Sequence, residues 1–437
     1  MVGDPLRVAL LVYRGKNHVG GQGVYTRRLS KALVELGHHV EVFSGPPYPE
    51  LDPRVALTEL PSLELFEEPH PFRLPAPWEY RDLIDVGEVG VMSVAGFPEP
   101  WTFSLRAKRA LLARLDDFDI VHDNQCLGTG LLAMMNAGLP VLGTIHHPIT
   151  VDRRVELGQA TSRRQRTQIR RWYGFTRMQT RVAQRLELIV TVSESSHADI
   201  VRDHGVEPER LRVVQIGVDP EQFSPLPHIQ RVPGRLITTT SSDVPMKGLV
   251  FLLEALAKLR VERPEVTLTV IGRPKQGSKI PAIVDRLGVA DAITFVTGIS
   301  DDRITELYAE AELAIVPSLY EGFSLPAVEA MATGTPLVAT RGGALPEVVG
   351  EDGTTAVLVP PGDSAALAGT IAELLDDPAR RAAVGEAGRA RVVERYSWER
   401  TAEETTALYR EVIARTGTRA GGPRTGRSLR GEARRTC

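Results

Sequence analysis

A chain of 437 residues is longer than one ordinary core fills, so two domains are expected. Its 42% hydrophobic and 24% charged residues are the balance of a globular protein, and a net charge of −3 sets a general nucleic-acid binder aside. Two cysteines, Cys126 and Cys437, exclude a disulfide framework or zinc site, and with no membrane-length apolar run and no secretory opening a cytoplasmic protein is expected.

Residues 7–13 have the pattern of a buried parallel strand. Gly15, Gly20, Gly21 and Gly23 follow in a loop. Leu29, Ala32, Leu33 and Leu36 then form the apolar stripe of a helix that Gly37 closes, and residues 39–43 are the next strand. The unit is Rossmann-like, but Gly-Gly-x-Gly is not the dinucleotide fingerprint and no acid ends the second strand, which weighs against a nucleotide-dependent oxidoreductase. From 45 to about 106 periodicity fades, and an elaborated connection with some strands is expected. Residues 119–122 and 141–146 are strands, each ending at a histidine, where open parallel sheets place their ligands.

Between Val151 and Arg185 ten arginines face only Asp152 and Glu156, with Ile169, Trp172 and Tyr173 at helical spacing. Two readings stay open: a helix lying on an anionic lipid surface, or a solvated helix whose aromatics pack on the N-terminal domain. Strands at 188–193 and 211–214 precede a proline-marked linker. Residues 236–240 open a second α/β unit, with further strands at 266–271, 293–296, 313–316, 337–339 and 356–359. The chain is helical from Ser364, a final helix starts at Ser397, and after Thr416 a basic, glycine-rich tail is expected to be disordered.

The densest chemistry lies at 317–329. An apolar strand runs into a glycine loop and then a helix to Thr333, with Ser324 as its cap and Pro326 at its first position. Free amides of Gly322, Phe323, Ser324 and Leu325, with the positive helix end, make an anion site that Glu321 and Glu329 frame. Such a site suits a ligand carrying both phosphate and hydroxyls, as a nucleotide-sugar does. Lys247-Gly248 at another helix start places a cation where a leaving diphosphate would be held.

The run Glu321-Gly-Phe-Ser-Leu-Pro-x-x-Glu329 resembles the Glu-x7-Glu signature of family 4 of the retaining glycosyltransferases, which have the two-domain GT-B fold. The family's opening is matched from Gly20 to Val40, its Thr-x-His at Thr144 and His146, its hinge from Ile216 to Phe223, and its Lys-Gly at Lys247. Coverage spans about 6–415, weakly from 45 to 115. The resemblance implies an α/β protein of two Rossmann-like, doubly wound domains facing a cleft: 1–218 on the acceptor side, a linker at 219–234, 235–396 binding the nucleotide-sugar, a helix at 397–415 crossing back, and the tail at 416–437. It implies transfer from a nucleoside-diphosphate sugar with retained configuration, without metal or other cofactor, by a protein peripheral to the inner membrane face if segment 153–185 binds lipid. His146, Lys247 and Glu321 would be catalytic. Gly21, Gly23, Ser241, Lys247, Arg273, Gly322, Phe323, Ser324, Leu325 and Glu329 would bind the donor, and His122 and His147 would face the acceptor. One departure stands out: where relatives carry an arginine five or six positions before the lysine, Ser241 or Ser242 stands, leaving Arg235, Arg273 or Lys275 as substitutes. A non-catalytic nucleotide-sugar binder is the alternative.

Overall fold

The computed structural model describes residues 4–15, 21–66, 72–240, 244–274 and 277–419. Its strands form two all-parallel sheets. The first contains β1 (Arg7–Val12), β2 (His39–Ser44), β3 (Ala56–Glu59), β4 (Ile120–Asn124), β5 (Val141–Ile145), β6 (Ile189–Thr191) and β7 (Leu211–Val213) in the order β3-β2-β1-β4-β5-β6-β7. The second contains β8 (Val232–Thr239), β9 (Thr267–Ile271), β10 (Ile293–Val296), β11 (Ala311–Val316), β12 (Leu337–Thr340) and β13 (Val357–Val359) in the order β10-β9-β8-β11-β12-β13. Strand order reverses between β1 and β4 and between β8 and β11, and crevices for ligands open at the C-terminal ends of strands at such points. β8 begins at Val232, inside the stretch read as linker.

The strands read as continuous apolar runs because parallel sheets are covered on both faces. Leu10, Leu142, Leu236, Leu313 and Val338 have no exposed surface. One apolar cluster continues from β1 through Ile216, Val218 and Phe223 to Phe323, Val328 and Tyr396, so the two sheets share packing. The helix Trp398–Arg419 lies against the first sheet. Its Tyr409 hydroxyl meets His122 Nδ1 at 2.7 Å, its Thr406 meets His38 at 3.1 Å, and Trp398 packs edge-on against Tyr25. That helix continues to Arg419, past the point where the disordered tail was expected, and residues 420–437 lie outside the described part.

The segment 45–106 departs from expectation. Its described residues hold one strand, β3, a 3₁₀ turn at Pro77–Glu79, and two α-helices, Leu83–Ser93 and Glu99–Leu112 (the second running past the segment's end). The first helix escapes periodicity because its polarity is inverted. Asp85 and Glu88 are buried on Arg106, at 2.6 Å for Asp85, while Leu83 and Val86 are 86% and 52% exposed. The basic segment is likewise not one helix but three, Thr150–Gln159, Arg163–Trp172 and Thr176–Ala183. Ile169 and Tyr173 are buried, and Trp172 packs against Phe66, Phe72 and Phe97. The apolar side offered to lipid in one reading is therefore used inside the protein, and only the exposed arginines are left to face an anionic surface.

Candidate active site

β11 delivers the chain into the loop at 317–324 and then the helix Leu325–Ala332, with Pro326 in its first turn rather than at its first position. The amides of Gly322, Phe323, Ser324 and Leu325 donate no hydrogen bond among the described residues. Ser324 is not a side-chain cap: it stands at φ 93°, and its buried hydroxyl has no partner. A non-glycine residue at positive φ with an idle buried hydroxyl is a costly arrangement, of the kind that clusters at ligand sites. The Phe323 ring does not face a ligand but packs edge-on against Tyr396 in the core, so only its backbone remains for binding.

Two residues expected to be catalytic meet directly. Lys247 Nζ donates to both carboxylate oxygens of Glu321, at 2.8 and 2.9 Å, and the Ser318 hydroxyl donates to the same carboxylate at 2.7 Å. Backbone geometry enforces the meeting. Lys247 closes the short 3₁₀ turn Pro245–Lys247, Gly248 follows at φ 68°, and a Cβ on Gly248 would sit 1.9 Å from the Pro317 carbonyl. Only glycine lets this turn lie on the 317–324 loop.

The opposite wall approaches just as closely. A Cβ on Gly322 would be 2.6 Å from the His146 carbonyl and 3.1 Å from His147 Cβ, so the loop rests on the backbone after β5. His146 Nε2 lies 2.8 Å from Asn124 Oδ1, and the Asn124 amide nitrogen donates to Gln22 O and Thr26 Oγ1. With the amide oxygen thus an acceptor, Nε2 carries the proton and Nδ1 keeps its lone pair. Burial pushes the His146 pKa down to about 3, helped by the neighbouring His147 and His122, so the ring is neutral. His147 bonds Asp152 at 2.9 Å; burial lowers its pKa, but the carboxylate outweighs that and the net shift is upward.

His122 does not face an acceptor. It is fully buried, with Nδ1 on Tyr409 and Nε2 on Thr144 at 2.6 Å, and pins the C-terminal helix to the first sheet. Gly21 and Gly23 lie not in a loop but in the first turn of the helix Gly21–Glu35. Glu329 is partly buried; burial and then Asp301 push its carboxyl up to about 7 against the pull of Arg28 and Arg27. Arg273 stands exposed past the end of β9. Arg235 is bound to Glu310, while Ser241 and Lys275 lie outside the described residues. Sequence reasoning missed three members of this constellation. Asn124 and Asp152 orient His146 and His147, and Thr240, just past β8, has a buried hydroxyl without a partner among the described residues. Asn124 and Thr240 sit at strand C-terminal ends, the signal that singled out the histidines and that was not extended to them. Among the described residues no three His, Cys, Asp or Glu side chains gather as a metal-holding group, and no helix is long and apolar enough to cross a membrane.

Known proteins bear on this site. The family described as Glycosyltransferase Family 4 matches residues 19–222, and that described as Glycosyl transferases group 1 matches 230–391. The MMP alpha-(1->4)-mannosyltransferase of Mycolicibacterium hassiacum is 53% identical over 94% of this chain and 99% of its own. The chain belongs to glycosyltransferase family 4. It is a glycosyltransferase with the GT-B fold. A more distant relative, the D-inositol 3-phosphate glycosyltransferase 2 of Catenulispora acidiphila, is 28% identical over 94% of this chain and 96% of its own. Among solved structures, the sucrose-phosphate synthase of Thermosynechococcus elongatus superposes with a TM-score of 0.71 at 24% identity, covering 94% of this chain and all of its own. Anabaena HepE in complex with UDP and glucose gives 0.68 at 18%, covering 93% and 100%. These two likenesses speak for the fold alone. Family membership sets aside both the oxidoreductase and the non-catalytic readings.

Proposed function

We propose that this glycosyltransferase moves mannose, with retained α configuration, from a nucleoside-diphosphate mannose to hydroxyl 4 of a sugar acceptor. The sugar, linkage and anomer follow the 53% identical relative. The observation that carries a diphosphate donor is the Lys247–Glu321 pair beside four idle amides at a helix N-terminus. The bond from the anomeric carbon to the phosphate oxygen breaks, the acceptor oxygen bonds to that carbon on the same face, and the acceptor's proton passes to the departing phosphate. Charge grows on that phosphate, so Lys247 and the amides stabilise the transition state most. Thr240 and Ser324 offer buried hydroxyls to phosphate oxygens. His146, neutral with Nδ1 free, accepts a hydroxyl of the donor sugar. Glu321 orients the same sugar, and Glu329 takes the ribose hydroxyls. His147 faces the acceptor, and Arg273 lies at the mouth of the nucleotide crevice. No metal or other cofactor enters these steps.

The test is incubation of the purified protein with UDP-, GDP- and ADP-linked mannose and glucose and simple glycoside acceptors, with the product anomer read from its one-bond C1–H1 coupling. An α-mannoside linked at position 4 is expected. No transfer from any mannosyl donor overturns the sugar assignment, and a β product overturns retention. The exposed arginines of Arg163–Trp172 favour an anionic membrane as a further partner. Sedimentation with anionic vesicles at low salt is expected to carry the protein down, and a protein left in the supernatant removes that partner.

A further inference from the structure

A hollow of about 440 Å³ lies in the first domain, lined by none of the residues of the candidate active site. Its walls come from stretches distant in sequence: Val91 and Val94 at the end of the inverted helix, Phe97 and Trp101 at the start of the next, and Phe175 and Met178 from the basic segment. Arg171 is the one charged side chain on it, and that side chain is exposed at the rim. The volume falls within the range of ordinary ligand cavities, roughly 300–1,000 Å³.

Three separate contacts tie the walls of the hollow to the C-terminal edge of the first sheet. Arg14, two residues past β1, lies 5.3 Å from the Phe97 ring centroid and pairs with Glu99. Cys126, two residues past β4, donates its thiol to the Pro100 carbonyl at 2.9 Å, which fixes the helix carrying Trp101. Gln179, next to Met178, donates to the carbonyls of Gln125 and Cys126 at 3.4 and 3.3 Å, and the Gln125 side chain accepts from the His146 amide at 2.9 Å. The hollow is thus held to the strand ends that carry His146.

Its chemistry selects the occupant. A glycan buries many hydroxyls, each of which costs free energy when it leaves water without a partner, and these walls offer almost none. Apolar groups lose nothing there. Val94 on its lining is 61% exposed, and Leu83 and Val86 of the same helical segment are 86% and 52% exposed.

We propose that this hollow is the subsite for a hydrocarbon portion of the acceptor, so that the enzyme acts on an amphiphilic glycoside whose sugar reaches His146 while its apolar group lies between Phe97, Phe175 and Met178. This rests on transfer to a sugar acceptor, and the experiment separates the two. Calorimetric binding and steady-state transfer are compared for methyl and octyl α-mannoside, the latter below its micellar concentration. The octyl glycoside binds at least tenfold more tightly and shows at least a tenfold lower KM at similar kcat. Val94→Asp, an exposed substitution that leaves the melting temperature unchanged, removes the difference and leaves the methyl glycoside's KM within twofold; Phe97→Ala does the same where it folds. Equal affinities, or an octyl preference that survives Val94→Asp, overturn the subsite. Octyl binding that Val94→Asp abolishes, with neither glycoside accepting sugar, supports the subsite and refutes the transfer proposed above.

Discussion

The C-terminal wall of the cleft is one thirteen-residue stretch, Pro317 to Glu329, with Lys247 laid on it. The N-terminal wall draws on Asn124, His146, His147 and Asp152, brought together from separate elements. The first wall holds its chemistry in local geometry: a strand end, a loop with a residue at positive φ, and a helix N-terminus. The second holds it in contacts between residues far apart, such as His146 on Asn124 and Gln125 on the His147 carbonyl. A wall of the first kind tolerates little change in sequence. One of the second kind can be rebuilt around a different acceptor while the strand ends stay in place.

Breaking each wall should therefore look different. The largest expected effect is on the C-terminal side. Lys247→Ala lowers kcat by ~10²–10³, the usual loss when one preorganised charge on a leaving group is removed. Glu321 keeps its hydrogen bond from Ser318, so the melting temperature should fall little. Near-normal turnover in a folded variant would move the phosphate role elsewhere. On the N-terminal side His122→Ala should do the reverse. It strips the partner from the Tyr409 and Thr144 hydroxyls and opens a cavity, costing about 2–4 kcal/mol in denaturant unfolding while kcat stays within twofold. A kcat loss exceeding tenfold in that variant would restore His122 to the acceptor side. Smaller again is Thr240→Val, which removes one hydroxyl offered to phosphate and should raise the donor's KM about tenfold at nearly unchanged kcat. An unaltered donor KM would leave the buried hydroxyl without a purpose.

These contrasts also mark what the sequence made legible. The two sheets were readable because buried parallel strands are short apolar runs with no competing pattern. Glu321 and Lys247 stood out because each lies at a strand end or helix start beside glycine, and His146 because it ends an apolar run. His122 misled for the same reason: it ends an apolar run as His146 does, and only the tertiary fold reveals Tyr409 across from it. The helix Leu83–Ser93 was illegible because its buried face carries Asp85 and Glu88 beside Met92, the two acids made tolerable by an arginine about twenty residues away. Phe323 shows the limit inside a motif, since its amide and its ring have different destinations and a motif does not separate them.

The smallest expected effect lies where the walls touch. His147 belongs to the N-terminal wall, yet Lys247 and Glu321 of the other wall both act on its charge. Burial lowers its pKa, but Asp152, through charge and hydrogen bond, raises it more; Glu321 adds to that and Lys247 opposes it, so His147 titrates above the usual 6.5. A folded-state pKa above the unfolded value means that the proton stabilises the folded protein. That stabilisation is complete below about pH 6.5 and is lost as pH rises through the folded value. Asp152→Asn leaves burial and Lys247 in command, so the imidazole should then titrate below 6.5 and the stabilisation should vanish. Lys247→Ala removes a repulsion and should move the His147 titration further up, so that a change on one wall is read on the other. NMR of the imidazole Hε1 resonance across pH 5–9 measures all three proteins. A His147 titration indifferent to Lys247 would show that the walls do not sense each other in solution, and the charge on His147 would then bear on its own wall alone.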